Sequence, residues 1–216
     1  MKRILLAALL FLSSIFPAAA QEYYDIDVDL PQYPEMLPVP DSPVYYSPSV
    51  DSNYFFYDGL YWDYYNDRWY ASPWYNGPWS YVDPIYIPTY VLWVPIRYYH
   101  RHPGHWHGWN TNGPPHWSQH WGGEWQSRHN EQYRGNPRGN ARAPLPEYQR
   151  GYSRANYPRA VQQQNTLHSQ HYAYRPQEQV AQQHYDRRGI TLAPPQAPQR
   201  ATTANPAARG DSRERR

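Results

Sequence analysis

Two classes of side chain here have the type and spacing to do chemistry: histidine, and the flat rings of tyrosine and tryptophan. From residue 97 to 125 the chain reads RYYHRHPGHWHGWNTNGPPHWSQHWGGEW and carries His100, His102, His105, His107, His116 and His120. The His-x-His pairs at 100/102 and 105/107 put two imidazoles on one face of an extended chain, and His116 and His120 could chelate from one helical turn. Neutral imidazoles in such number suit Zn, Cu or Ni. No cysteine or neighbouring carboxylate completes a recognisable ligand signature, and the interleaved Gly and Pro leave the spacing loose. The same residues also describe a partly ordered His/Trp surface packed over a sheet, and composition favours that reading. The second chemistry is stacking. Between Tyr54 and Trp93, seventeen of forty residues are Phe, Trp or Tyr. Exposed rings there, with Tyr61, Trp62, Trp69, Trp74 and Trp79 as candidates, would offer an aromatic platform for sugar rings or peptide side chains.

The elements that must hold those rings follow from the turns. Tyr57-Asp58-Gly59-Leu60-Tyr61, Tyr65-Asn66-Asp67-Arg68-Trp69 and Tyr75-Asn76-Gly77-Pro78-Trp79 share a pattern of Tyr, two turn formers, any residue, then an aromatic. Asp-Gly and Asn-Gly supply the positive φ of tight hairpins, with Asn-Asp a weaker version. Their spacing leaves room for strands of about four to six residues. Leu60, Trp62 and Tyr64 then share one face, with Tyr61 and Asp63 on the other. A small antiparallel meander over 51–98 is the expectation, with Thr89–Val94 closing the sheet at an edge because Pro84, Pro88 and Pro95 confine it. A module this small holds only ~3–5 kcal/mol, and some rings should face water or a partner.

The motifs YWDYYNDRWY and WYNGPW resemble those of uncharacterised aromatic-repeat (Tyr/Trp-rich, Asp-Gly/Asn-Gly turn) proteins exported by proteobacteria. The likeness covers residues 53–125. It implies an envelope location and transfers no catalytic residue.

Residues 1–20 read as a secretory signal peptide: Lys2 and Arg3, an apolar run from Ile4 to Phe16 too short to span a bilayer, then Ala18-Ala19-Ala20 before cleavage at Gln21. With no cysteine there is neither a disulfide framework nor a lipid-bearing thiol. The mature chain is expected to be periplasmic or secreted, with no integral membrane segment. Residues 21–50 form an acidic, Pro-rich extended segment. Asp25, Asp27 and Asp29 alternate with Tyr24, Ile26, Val28 and Leu30, which predicts a strand with a solvated acidic face. The solvated face is a better reading than a calcium loop, because Leu30 and Met36 stand where Gly and Glu are needed. Residues 31–48, with six prolines, read as a spacer outside any sheet. Residues 99–135 are a His/Trp-rich collar with one short helix, Glu124–Tyr133, in which Trp125, His129 and Tyr133 align and Gly135 is the stop. Residues 136–216 compose a largely disordered Arg/Gln/Pro-rich tail, with short helices over Arg159–Tyr172 and Gln177–Arg188, the second ended by Gly189.

Charge is polarised: 21–95 carry eleven acids against Arg68 alone, and 96–216 carry seventeen arginines against seven acids. That invites contact between the halves, within one chain or by self-association, and suits anionic polymers, while export argues against genomic nucleic acid. No nucleophile elbow, phosphate loop or H-E-x-x-H is present, so no enzyme and no cofactor is expected. The sequence therefore predicts a mainly β, non-enzymatic envelope or secreted protein that binds glycan or another envelope protein through exposed aromatics. The alternative is a metal-binding protein using the six histidines.

Overall fold

The turn dipeptides set the register of the sheet. In the computed structural model, which describes residues 22–134 and 141–191, strands β1 (Leu37–Pro38), β2 (Tyr45–Tyr46), β3 (Asn53–Tyr57), β4 (Leu60–Tyr65), β5 (Arg68–Ser72) and β6 (Ser80–Val82) form one antiparallel meander in sequence order. Tyr57 pairs with Leu60 around Asp58-Gly59, and Tyr65 pairs with Arg68 around Asn66-Asp67. All four turn residues have positive φ (51°, 84°, 47° and 63°), as two-residue hairpin turns of matching twist require. The third reversal differs. Asn76-Gly77 lies inside the link 73–79, where Pro73 and Pro78 lack donors and the ladder cannot reach the dipeptide.

Three further expectations change. β6, not Thr89–Val94, closes the sheet: Pro88 starts a single helical turn, α1 (Thr89–Leu92), and its carbonyl accepts from Val91 and Leu92 N–H at 2.9 and 3.1 Å. The Pro-rich spacer contributes the two-residue strands β1 and β2, with Pro38 on the edge strand β1, where proline's missing donor costs little. Residues 22–30 form only a bridge from Tyr24 to Trp79, though their alternation holds, with Ile26 and Val28 buried and the three aspartates exposed.

Helix α2 (Trp117–Gln132) starts earlier than the expected Glu124 and is interrupted at Gly122, whose φ of 84° is non-helical. Helices α3 (Val161–His171) and α4 (Gln179–Arg188) lie where the sequence places them, and α4 ends at left-handed Gly189. Among the described residues strand accounts for 15% and helix for 34%, so mainly β gives way to a meander followed by short helices.

Both faces of the sheet are covered. Leu60, Trp62, Tyr64 and Trp69 pack with Val91, Tyr99, Trp106, Trp117, Ala181 and Tyr185, whereas Tyr54, Phe56 and Tyr61 pack with Ile26, Val28, Met36, Ala143 and Tyr172. Residues 141–191, whose composition predicts mostly disorder, thus supply part of both layers. The signal-peptide reading, Gly135 and the tail from 192 onward lie outside the described residues.

Candidate functional site

The five platform rings are core. Tyr61, Trp62, Trp69 and Trp74 are 0% exposed and Trp79 is 3% exposed. Hairpin alternation alone cannot distinguish a ring that faces solvent from one that faces a covering layer, and here both faces have covers. The platform is therefore corrected: these residues present no surface to a ligand. Trp74 also donates from Nε1 to the Gln164 carbonyl at 3.2 Å, and it meets Tyr148, Tyr152 and Tyr157 edge-on.

Exposed rings occur elsewhere. Trp93, just past α1, is 61% exposed. It flanks a cleft of about 770 Å³ between the α1 turn and α2. One wall is a column of rings along α2, in which Trp125 to His129 and His129 to Tyr133 lie 4.9 and 4.7 Å apart. The four-residue spacing on a helix makes the column. His129 is fixed by the Ile87 carbonyl 2.9 Å from its Nε2, and burial pushes its pKa down, so it is a neutral wall residue. Gln119, Gln126 and Asn130 supply amides to the same cleft, and the Nε1 of Trp125 has no hydrogen-bond partner among the described residues. None of the described lining residues is Asp, Glu, Lys or Arg.

The six histidines part company. His100 and His107 are exposed. His102 is turned onto its own backbone, with Nε2 2.9 Å from the Tyr99 carbonyl oxygen and 3.2 Å from that of Ile96. His116 stacks on Trp109 at 4.5 Å. Among the described residues neither His-x-His pair joins a three-ligand cluster as a pair: His102 is held by backbone, and His105 sits in the 3₁₀ turn Gly104–Trp106. His105 and His120 do meet, with rings 4.5 Å apart and 13° from parallel. A third group joins them from the β4–β5 turn. Asp67 Oδ2 is 2.8 Å from His120 Nε2, and one ligand atom from each of the three residues lies within 4.8 Å of the others.

Sequence reasoning missed Asp67 and Trp93. Asp67 reads as a turn former, and only its left-handed φ, which aims the side chain at α2, gives it a second role. Trp93 carries no signal beyond its position between two prolines, which cut short the element that would have buried it. Among the described residues no helix is long and apolar enough to cross a membrane. Compared with known proteins, the chain matches no family model, no curated protein and no solved structure. The fold and its clefts alone define the class: an aromatic antiparallel meander wrapped on both faces by short helices and extended segments.

Proposed function

We propose that this is an exported, non-enzymatic interaction protein of the cell envelope or its surroundings, and that it binds glycan in the cleft between the α1 turn and α2. One observation carries the reading: the most exposed large ring among the described residues, Trp93, stands beside a cleft walled by aromatics and amides with no Asp, Glu, Lys or Arg on its described lining. An exposed indole is a flat apolar surface with a polar edge, which matches the face of a sugar ring. Gln and Asn side chains both donate and accept, as paired hydroxyl groups require. A lining without Asp, Glu, Lys or Arg favours neutral polyols over phosphate or charged peptide, because it supplies little counter-charge for their burial.

Retention on insoluble peptidoglycan and on neutral polysaccharides, followed by fluorescence titration with soluble oligosaccharide fragments, tests this. Wild type should be retained and its tryptophan emission should saturate. Trp93→Ala should weaken binding by at least about tenfold, as loss of a central stacking ring does, and should leave the thermal midpoint unchanged. Failure of wild type to bind any of these polymers, or equal binding by Trp93→Ala, sinks the proposal.

A further inference from the structure

We infer that Asp67, His105 and His120 form a binding site for a divalent first-row transition-metal ion. The three come from three elements far apart in sequence: the β4–β5 turn, the 3₁₀ turn Gly104–Trp106 and the first turn of α2. Two imidazoles and a carboxylate make a donor set that suits Zn²⁺, Cu²⁺ or Ni²⁺. It suits Ca²⁺ and Mg²⁺ poorly, since they take nearly all their ligands as oxygen. Three protein ligands leave further positions open to water or an added ligand.

What separates this trio from a chance surface ion pair is its support. Tyr64, buried on β4, donates its hydroxyl to Asp67 Oδ1, which leaves Oδ2 turned to His120. The ring of the same tyrosine stacks on Trp106 at 5.8 Å, 7° from parallel, and so anchors the turn that carries His105. His105 packs edge-on against Trp109 at 5.8 Å, and His120 leans on Trp121 at 5.6 Å. One buried residue thus positions a carboxylate and a histidine-bearing turn, the kind of outer support that orients metal ligands. Ligand atoms around a tetrahedral Zn²⁺ sit about 3.3 Å apart, given Zn–N near 2.0–2.1 Å. The trio's donor atoms lie within 4.8 Å of one another and the Asp67–His120 pair at 2.8 Å, so that pair must open slightly while His105 closes in, and side-chain rotation supplies both because Asp67 and His105 are exposed and His120 is half-buried. The other five collar histidines are stacked elsewhere, bonded to backbone or simply exposed, so the site is this trio and not the His-rich segment as such.

The test is calorimetric titration of the tag-free chain with Zn²⁺ and with Cu²⁺, alongside paramagnetic resonance of the Cu²⁺ form. One equivalent should bind, raise the thermal midpoint and show coordination by two nitrogens. His120→Gln and His105→Gln should each weaken binding by at least about tenfold and remove one nitrogen from the spectrum. Asp67→Asn keeps a residue that tolerates positive φ, so the turn survives, and affinity should fall. Tyr64→Phe, which deletes only the supporting hydroxyl, should cost about 10–100-fold. His107→Ala and Trp93→Ala should bind metal like wild type; the latter separates this site from the glycan cleft. Absence of saturable binding, indifference to both His105→Gln and His120→Gln, or dependence on His100 and His107 would each overturn the assignment.

Discussion

Asp63 stands mid-strand in β4 between Tyr54 and Tyr70 across the ladder, fully buried. Ser52 Oγ–H donates to its Oδ2, and Oδ1 meets no donor among the described residues. Burial raises its pKa from 3.8 to about 7, against the opposing pull of Ser52 and Arg101. A carboxyl that holds its proton more tightly folded than unfolded stabilises the fold at low pH, and that contribution is lost as pH rises from 3.8 through about 7. Asp63→Asn should therefore gain on wild type across that window, by up to about 4 kcal/mol, and hold the gain above it. Urea midpoints of the two proteins against pH give the difference curve; a flat difference would refute the argument. His168 works in the opposite sense, its pKa depressed to about 3 mainly by burial. Tyr185 donates to the Gly59 carbonyl at 3.0 Å, so its oxygen takes the Nε2–H of His168, and Nδ1 is left to accept from Tyr148 at 2.9 Å. That chain of donors fixes one neutral tautomer.

The first hairpin and the last helix form one unit. Glu178 opens α4 without a side-chain cap, and Asp58, on the β3–β4 turn, caps it from a distance. Its carboxylate accepts the backbone N–H of Gln177 at 2.9 Å and of Glu178 at 2.7 Å, and the hydroxyl of Tyr174 at 2.7 Å. A negative group here also complements the positive end of the helix. Gly59 beside it is required twice: its φ is 84°, and a Cβ would come within 2.6 Å of the Tyr185 hydroxyl. Asp58→Ala strips an acceptor from several buried donors and should cost about 2–3 kcal/mol. Amide hydrogen exchange should quicken through α4 while the β4–β5 ladder stays protected; uniform loss of protection would show that the clamp is not local. Asp58-Gly59 and Asn66-Asp67 were readable because two-residue turns have a chemistry of their own, and the two faces of β4 followed from alternation. The packing of residues 141–191 was not readable. Gln149 and Gln164, 0% exposed, look like disorder-promoting residues by composition. Gln149 instead donates to the Pro73 carbonyl at 2.8 Å and accepts from Tyr75 N–H at 3.0 Å, standing in for backbone in the β5–β6 link. Such pairing has no periodicity. For the same reason the sequence named His105 and His120 but could not choose them from six or add Asp67.

The acidic and basic halves of the chain do meet within it, through Arg101 with Asp27 and Asp51, and Arg154 with Asp29. All of these pairs are open to solvent, where screening leaves them little to contribute. Cohesion of the whole molecule must then come from its rings, and tyrosine gives that claim a titration. Tyr54, Tyr61, Tyr99, Tyr157 and Tyr185 have pKa values pushed well above the ordinary 10.0, desolvation by burial being the leading cause in each. Each keeps its proton more firmly when folded, so each stabilises the fold below 10.0 and withdraws that support as pH climbs beyond it. These rings lie in both layers, Tyr99 and Tyr185 on one face, Tyr54 and Tyr61 on the other, so neither layer can shed its protons without opening the sheet between them. Alkaline titration should therefore release the buried phenolic protons in one cooperative step, with tyrosinate absorbance rising over the same narrow interval in which circular dichroism of the helices and sheet collapses. Salt at neutral pH should leave that dichroism intact. A gradual tyrosinate rise completed while the dichroism persists, or salt alone unfolding the chain, would shift the burden of stability from rings to charges.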